Sequence, residues 1–359
     1  MGPRSNETAV KAVVQHGFGG VDVLRHEEVP DPAAGPADVL VRVEVAGLNR
    51  LDVLQRAGPP MLPGFALPHI AGMDVAGTVV DVGPTARDIQ GAGSPPRPGD
   101  RVLVNPALEC GSCAPCREGD DGLCADVRVV GATRPGGYAD LCAVPADHVH
   151  PVPEHVGLEE AATIPTAYAT AWHALVTVGR LSIGETLLVH GAGSGVTIAV
   201  IQLAKRSGAQ VIATARSEEK LALATRLGAD AVVDTAHQDL AAACRELTDG
   251  RGVDVALDHL GPALFEQTVL CLRPRGRLLF VGTTTGRRAS FDLAYAYHFG
   301  ISLVGVDPYR AEEFGQMLDF YWRNRFEPVV DSRFGLADAP AAQARMESGQ
   351  ASGKILLVA

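Results

Sequence analysis

The 359-residue chain lacks any uninterrupted apolar run near the roughly 20 residues that span a bilayer, so no transmembrane helix is expected. The polar opening from Met1 to Thr8 has no apolar core of the kind that marks a secretory leader, and a cytoplasmic protein is expected. Positive charge is also short. Thirty-one Lys and Arg against 42 Asp and Glu leave a net charge of −11, which repels a phosphate backbone, and no local basic patch offsets it. Nucleic acid is therefore not an expected partner. Internal repeats and low-complexity segments are missing, aromatic residues make up only 5% of the chain, and no tyrosine precedes Tyr138.

Cysteines are few, seven in all, but four of them are concentrated as Cys110-x2-Cys113-x2-Cys116-x7-Cys124. Four thiolates at this spacing wrap one tetrahedral zinc and leave no open coordination position, so the ion is expected to staple a lobe rather than perform chemistry. Paired disulfides fit poorly with an odd cysteine count and a reducing compartment. Cys142, Cys244 and Cys271 read as small buried hydrophobes.

With 47% hydrophobic residues, the chain is long enough for two domains of unequal size. From Val10 to Pro153 short alternating runs such as Val39–Val45, Ala76–Val82 and Asp100–Val104 lie between Gly and Pro clusters, the pattern of an antiparallel β domain. The stretch Gly91–Pro98 reads as a loop. After Glu159 the rhythm becomes strand, helix, strand. Extended segments are expected at Thr186–His190, Gln210–Ala213, Ala231–Asp234, Val253–Asp258, Arg277–Gly282 and Ile301–Val306, with helices at Val196–Ser207 and Ser217–Leu227. Six such strands match a doubly wound, parallel Rossmann sheet. A helix at Glu312–Phe326 and a strand at Lys354–Val358 would return the chain to the β domain. The expected domains are 1–157, 158–307 and a C-terminal return over 308–359.

The strand ending at His190 runs into Gly191-Ala192-Gly193-Ser194-Gly195-Val196 and then an Ala/Ile/Leu-rich helix. This places glycines where backbone must approach a pyrophosphate and aims a helix N-terminus at it. An enzyme that prefers NAD usually has an acidic residue at the end of the second strand, about 20 residues on. Here Ala215 fills that slot, followed by Arg216, Ser217 and Lys220, which suit a 2′-phosphate. NADPH is the expected cofactor. Arg216 and Lys220 as ordinary solvated charges at a helix start is the competing reading.

The zinc lobe, the N-terminal β domain and the Rossmann unit together resemble the medium-chain dehydrogenase/reductase superfamily over essentially the whole chain. Gly47-Leu-Asn-Arg-Leu-Asp52, Ala76-Gly-Thr-Val79, Pro98-Gly-Asp-Arg-Val102, Thr170-Ala-Trp-His-Ala-Leu175 and Leu257-Asp-His-Leu-Gly261 look like its quinone oxidoreductase-like branch. The fold this implies is α/β, a GroES-like antiparallel β domain plus a Rossmann sheet. In the alcohol dehydrogenase branch a catalytic zinc is held by a cysteine, a histidine and a later cysteine or aspartate. The resemblance aligns Asn49, Met73 and Thr166 with those three ligands, and none of them is a good zinc ligand. His69 stands nearby but does not make a three-ligand site with Asp74. Thr170, His259, Gly282, Thr283 and Lys354 are added to the expected nucleotide site; for His259, at the carboxyl end of its strand, packing beside the Rossmann core together with His173 is the competing reading.

Without a Lewis acid, hydride addition to an ordinary ketone needs donors worth roughly 3 to 4 kcal/mol apiece for the alkoxide. A quinone or α,β-unsaturated carbonyl spreads the incoming charge and asks for less. The expected activity is therefore NADPH-dependent reduction of a quinone, enone or enoyl double bond, with Asn49, and more weakly Asp52 and Thr166, as polar residues at the reaction site. Asn49 and Asp52 acting only to cap and brace their turn is the competing reading. Some related enoyl reductases carry a donor tyrosine after Arg-x-Gly, where this chain reads Arg56-Ala-Gly-Pro-Pro60. A zinc-type alcohol dehydrogenase and a non-catalytic NADPH-binding protein stay open as other readings. The aromatics Phe291, Tyr295, Tyr297, Phe299 and Tyr309 fall in a region that the family places near the substrate cleft and the edge where protomers meet. Strand Ile301–Val306 is expected to pair with its twin in a homodimer.

Overall fold

The structure, a computed structural model, describes residues 9–88 and 95–359. Residues 1–8, and 91–94 of the expected 91–98 loop, lie outside the described residues. The chain forms two compact units: Met1–Thr166 with Arg310–Arg323 and Val330–Ala359, and Ala167–Tyr309 with Asn324–Val329. Relative to the expected division, 158–166 groups with the first unit and 324–329 with the second.

The first unit is built on Asp38–Gly47, whose burial alternates because one face of the strand packs inward. It pairs antiparallel with Asp74–Val82, with Leu141–Pro145 and, near its end, with the C-terminal strand Lys354–Val358. Arg101–Val104 and Val149–Pro151 extend the sheet on one side, and Val330–Gly335 lies parallel to the C-terminal strand on the other. Val39, Val41, Val43, Val75, Val79, Ile355 and Leu357 meet in the core this makes. The pairing of residues 45–47 with 356–358 carries Lys354, at the start of its strand, to the Asn49 end of the central strand.

The second unit is a six-stranded parallel sheet ordered Ala231–Asp234, Gln210–Ala215, Thr186–Val189, Val253–Asp258, Leu272–Phe280, Ser302–Gly305. The first strand in the chain is third in space, so the winding reverses beside it, and such a switch point opens a crevice at the carboxyl ends of the strands. Strands Thr186–Val189 and Val253–Asp258 are buried throughout, which explains why they read as continuous apolar runs with little alternation. Short helices at Arg50–Ala57, Leu240–Leu247, Phe265–Cys271 and Leu293–Phe299 carry no strong sequence signal. Among the described residues no helix is long and apolar enough to cross a membrane.

Candidate active site and metal centre

The four cysteines converge. Their sulfurs lie within 4.8 Å of one another, with Cys113–Cys116 at 3.4 Å and Cys110–Cys116 and Cys113–Cys124 each at 3.9 Å. A tetrahedron with zinc–sulfur bonds of about 2.3 Å has sulfur–sulfur edges of about 3.8 Å, so the set fits one zinc. The lobe is closed at its base by antiparallel pairing of Ala107–Leu108 with Arg128–Val129. Backbone N–H groups of Ser112 and Cys113 donate to Cys110 Sγ at 3.5 and 3.3 Å and, Ser112 first, pull its thiol down to about 6. Donors aimed at sulfur favour the thiolate that a metal needs. Arg310 ties the lobe to its own unit through Asp120, Nε to Oδ1 at 3.0 Å. Cys142, Cys244 and Cys271 are buried elsewhere.

In the second unit Gly191 follows strand Thr186–Val189 with φ +68°, and a Cβ there would sit 3.2 Å from the His259 ring. Helix Gly195–Arg206 then starts at Ser194 with no acidic residue in its first turn and Lys205 and Arg206 in its last, leaving its positive end unneutralised. The loop is held by the Ala192 N–H to Thr214 O at 2.9 Å and by Thr197, whose hydroxyl donates to His190 O at 2.7 Å. His259 Nε2 lies 2.8 Å from that same carbonyl and 2.9 Å from Thr197 Oγ1. Gly282 follows the adjacent strand, where a Cβ would collide with His259 O at 2.5 Å. Gly191, Ala215, His259 and Gly282 thus stand at or just beyond the carboxyl ends of four strands. This cradle fits a dinucleotide. Thr283 is exposed there, and Thr170 is half-buried in helix Pro165–Trp172.

Ala215 ends its strand nearly buried, its carbonyl accepting from the Thr235 N–H at 3.0 Å and hydroxyl at 3.2 Å. Arg216 and Ser217 beyond it are exposed, and Lys220 lies in the first turn of helix Glu218–Arg226. The strand itself therefore ends without a carboxylate.

Within the first unit, Asn49, Asp52, Asp74, Thr166 and Lys354 come together. Asn49 is the residue before helix Arg50–Ala57, and its backbone N–H donates to Asp52 Oδ2 at 2.8 Å. Asp52 is 3% exposed and also accepts from the Tyr138 hydroxyl at 3.2 Å. Burial raises its carboxyl to about 7 against the pull of the Asn49 N–H, and the Asp74 charge adds to the rise. Burial also holds the Tyr138 phenol well above its ordinary value. Asp74 is fully buried. Thr166 donates to its Oδ1 through both backbone N–H, at 2.9 Å, and hydroxyl, at 2.5 Å. Lys354 Nζ donates to Asp74 Oδ2 at 2.5 Å, Leu48 O at 2.8 Å and Asn49 Oδ1 at 2.9 Å.

The cluster brings the three expected reaction-site residues together and adds three more. Asp74 and Tyr138 carry no sequence signal for a role here, and Lys354, expected at the nucleotide, has its three N–H groups on protein acceptors in the first unit. Met73 is 8% exposed, and the buried His69 ring bonds Gly131 O at 3.0 Å, with burial lowering its proton affinity. Among the described residues the four cysteines are the one group of His, Cys, Asp or Glu side chains able to hold a metal.

The second unit holds two further buried histidines and the run of aromatics. His173 is buried with Nε2 3.1 Å from Asp307, and His190, also buried, bonds Thr214 and Thr268 through its two ring nitrogens. Phe291 and Tyr295 pack on the core, whereas Tyr297 is 79% exposed.

Family models match in two places: "Alcohol dehydrogenase GroES-like domain" over residues 35–154 and "Zinc-binding dehydrogenase" over residues 195–323. A solved structure described as an NAD-dependent alcohol dehydrogenase is 36% identical, covering 97% of this chain and 99% of that one at a TM-score of 0.90. The quinone oxidoreductase of Pseudomonas aeruginosa is 28% identical over 95% of this chain and 97% of its own length. A phenolphthiocerol/phthiocerol polyketide synthase protein of Mycobacterium tuberculosis is 35% identical over 94% of this chain, which spans only 14% of that protein. With both domain models matched in order and a relative of this identity covered almost end to end, the chain belongs to the zinc-binding dehydrogenases of the medium-chain dehydrogenase/reductase superfamily and is an oxidoreductase.

Proposed function

We propose that the protein is an NADPH-dependent reductase of a conjugated carbonyl compound, a quinone, enone or enoyl double bond, working without a catalytic zinc. The observation that carries this reading is the cluster around Asp74. The three positions that align with catalytic zinc ligands hold Asn49, Met73 and Thr166, and an ammonium, Lys354, is bonded to the first of them. Such a donor set suits a polarised, charge-spreading acceptor better than a simple ketone. Similarity to a quinone oxidoreductase and to part of a polyketide synthase supports a conjugated substrate.

A reduced nicotinamide, when bound, supplies a hydride; addition to the conjugated carbon moves an electron pair to the carbonyl oxygen, and solvent supplies the proton. The chain's part is to hold and stabilise. Gly191, Ala192, Gly193, Ser194, Gly195 and Val196 would receive the pyrophosphate. His259, Gly282, Thr283 and Thr170 would line the rest of the nucleotide. Ala215, Arg216, Ser217 and Lys220 favour a 2′-phosphate, against a relative described as NAD-dependent, because the second strand ends in Ala215 and not in a carboxylate that accepts from a 2′-hydroxyl. Cys110, Cys113, Cys116 and Cys124 would hold the structural zinc. The same reading includes a cytoplasmic homodimer joined through Ser302–Gly305, the last strand of its sheet, beside a helix exposing Leu293 and Tyr297.

The test is NADPH oxidation against a panel of small quinones and enones, with zinc counted on the same sample. Turnover with one zinc per chain is the expected result. Two zincs and turnover lost to chelator would restore the alcohol dehydrogenase, and tight NADPH binding without turnover would leave a binding protein.

A further inference from the structure

The ammonium of Lys354 has three donors and three acceptors, Asp74 Oδ2, Leu48 O and Asn49 Oδ1, so no N–H remains for a ligand. An ammonium can donate only, which settles how the Asn49 amide lies: its oxygen must face Lys354 and its NH2 must face away. The reversed amide would set two donors against each other beside a positive charge.

The rest of Asn49 is pinned as well. Its backbone N–H is fixed on Asp52 Oδ2 at 2.8 Å, so the residue is held at both ends. Among the described residues its Nδ2 reaches only Gly47 O, at 3.4 Å, beyond the range of a good hydrogen bond. The side chain is half-buried, unlike Asp52, Asp74 and Lys354 around it. The Asn49 NH2 is therefore an oriented and weakly used donor, carried on the one residue of these four that is not buried.

Building on the reduction reading above, we propose that Asn49 Nδ2–H is the hydrogen-bond donor to the carbonyl oxygen that collects the electron pair. Lys354 is the positioning residue that turns this amide and polarises it through Oδ1. A positive charge on an amide oxygen draws density from its nitrogen and makes the N–H a stronger donor. Asp74, held by Thr166, keeps the ammonium in place from behind. The arrangement delivers part of a cation's effect to the substrate oxygen without a metal. It also predicts that Lys354 acts on turnover and not on cofactor affinity.

The test compares Asn49→Ala, Lys354→Met and the double variant, with Lys354→Met/Asp74→Asn as a form that leaves no buried charge unpaired. Expected are a fall in kcat of about 100-fold for Asn49→Ala and about 10-fold for either Lys354 form. NADPH Kd should stay within about threefold, and Lys354→Met should add little to Asn49→Ala, as for residues acting in one unit. A tenfold rise in NADPH Kd for the charge-neutral form, or fully additive losses, overturns the positioning role. A second readout needs no substrate. In protein labelled with 15N-asparagine, the side-chain resonance absent from Asn49→Ala identifies Asn49. It should shift or broaden on removing Lys354, and an unchanged resonance overturns the proposal. If wild type reduces no conjugated acceptor, the reduction reading fails and the donor role of Asn49 with it, while the resonance still decides whether Lys354 orients the amide.

Discussion

Lys354 Nζ lies 2.5 Å from Asp74 Oδ2, a contact between residues 280 apart in sequence that are 6% and 0% exposed. The pair fastens the C-terminal strand to the same end of the sheet that carries Asn49. Removing one partner strands the other charge in the interior, which typically costs about 3–5 kcal/mol. Lys354→Ala should lower the unfolding free energy of wild type by about that amount in urea titration. Lys354→Met/Asp74→Asn should lose clearly less, because neither charge is then left alone. Equal losses would show that the pair is not electrostatically coupled to stability.

Asp52 gives the same cluster a pH dependence. Its folded carboxyl, at about 7, is raised above the ordinary value of 3.8, so the folded state holds a proton that the unfolded state has released. Stability therefore falls as pH rises between those values, and above pH 7 the full cost of a buried carboxylate is present. Asp52→Asn mimics the neutral form and can keep the bonds from Asn49 N–H and Tyr138. Its melting temperature relative to wild type should increase steadily from about pH 5 to about pH 8. A difference that stays constant over this range would place the carboxyl back in the ordinary acidic range.

The zinc spacing and the Rossmann rhythm were legible because each is local: four cysteines within fifteen residues, and strands whose burial on both faces shows as apolar runs. Six expected strands appear with shifts of a few residues at their ends, as where Leu272–Phe280 begins ahead of the expected Arg277. Helix Arg50–Ala57 was not legible, since eight residues give too few turns for a periodic signal, and Asn49 and Asp52 therefore read as a turn. Lys354 was the harder case. Family position points it to the nucleotide, whereas its hydrogen bonds depend on a strand pairing between residues 45–47 and 356–358 that no local pattern encodes. Asp74 gave no signal beyond lying next to Met73.

The thiolate set should hold one zinc per chain by elemental analysis. Cys116→Ser should lose most of it and make the 107–129 segment sensitive to limited proteolysis, because four sulfurs and a two-strand clasp are what organise it. NADPH affinity should stay within about twofold, since a site without an open coordination position takes no part in binding or turnover. A second tightly bound zinc that survives this substitution would require ligands other than the four cysteines.

Cofactor preference should turn on the end of strand Gln210–Ala215. A 2′-phosphate brings a charge of about −1.5 to −2 near neutral pH, and the residues beyond the strand, Arg216 and Lys220, offer positive charge, while the Ala215 side chain offers no acceptor that a 2′-hydroxyl could use. Ala215→Asp supplies that acceptor and at the same time repels the phosphate, and Arg216→Ala removes one of the favourable charges. Each tenfold change in Kd corresponds to about 1.4 kcal/mol, within reach of one charge-assisted hydrogen bond. Arg216→Ala should therefore weaken NADPH by about tenfold and leave NADH nearly unchanged, and Ala215→Asp with Arg216→Ala should reverse the preference. Titration of both cofactors by nicotinamide fluorescence reads this directly. The carbonyl of Ala215 is already held by Thr235, so a new side chain there changes charge at the strand end without releasing the strand. Tighter binding of NADH than NADPH by wild type would make Arg216 and Lys220 solvated surface charges and assign the protein to the NAD-dependent members of its family.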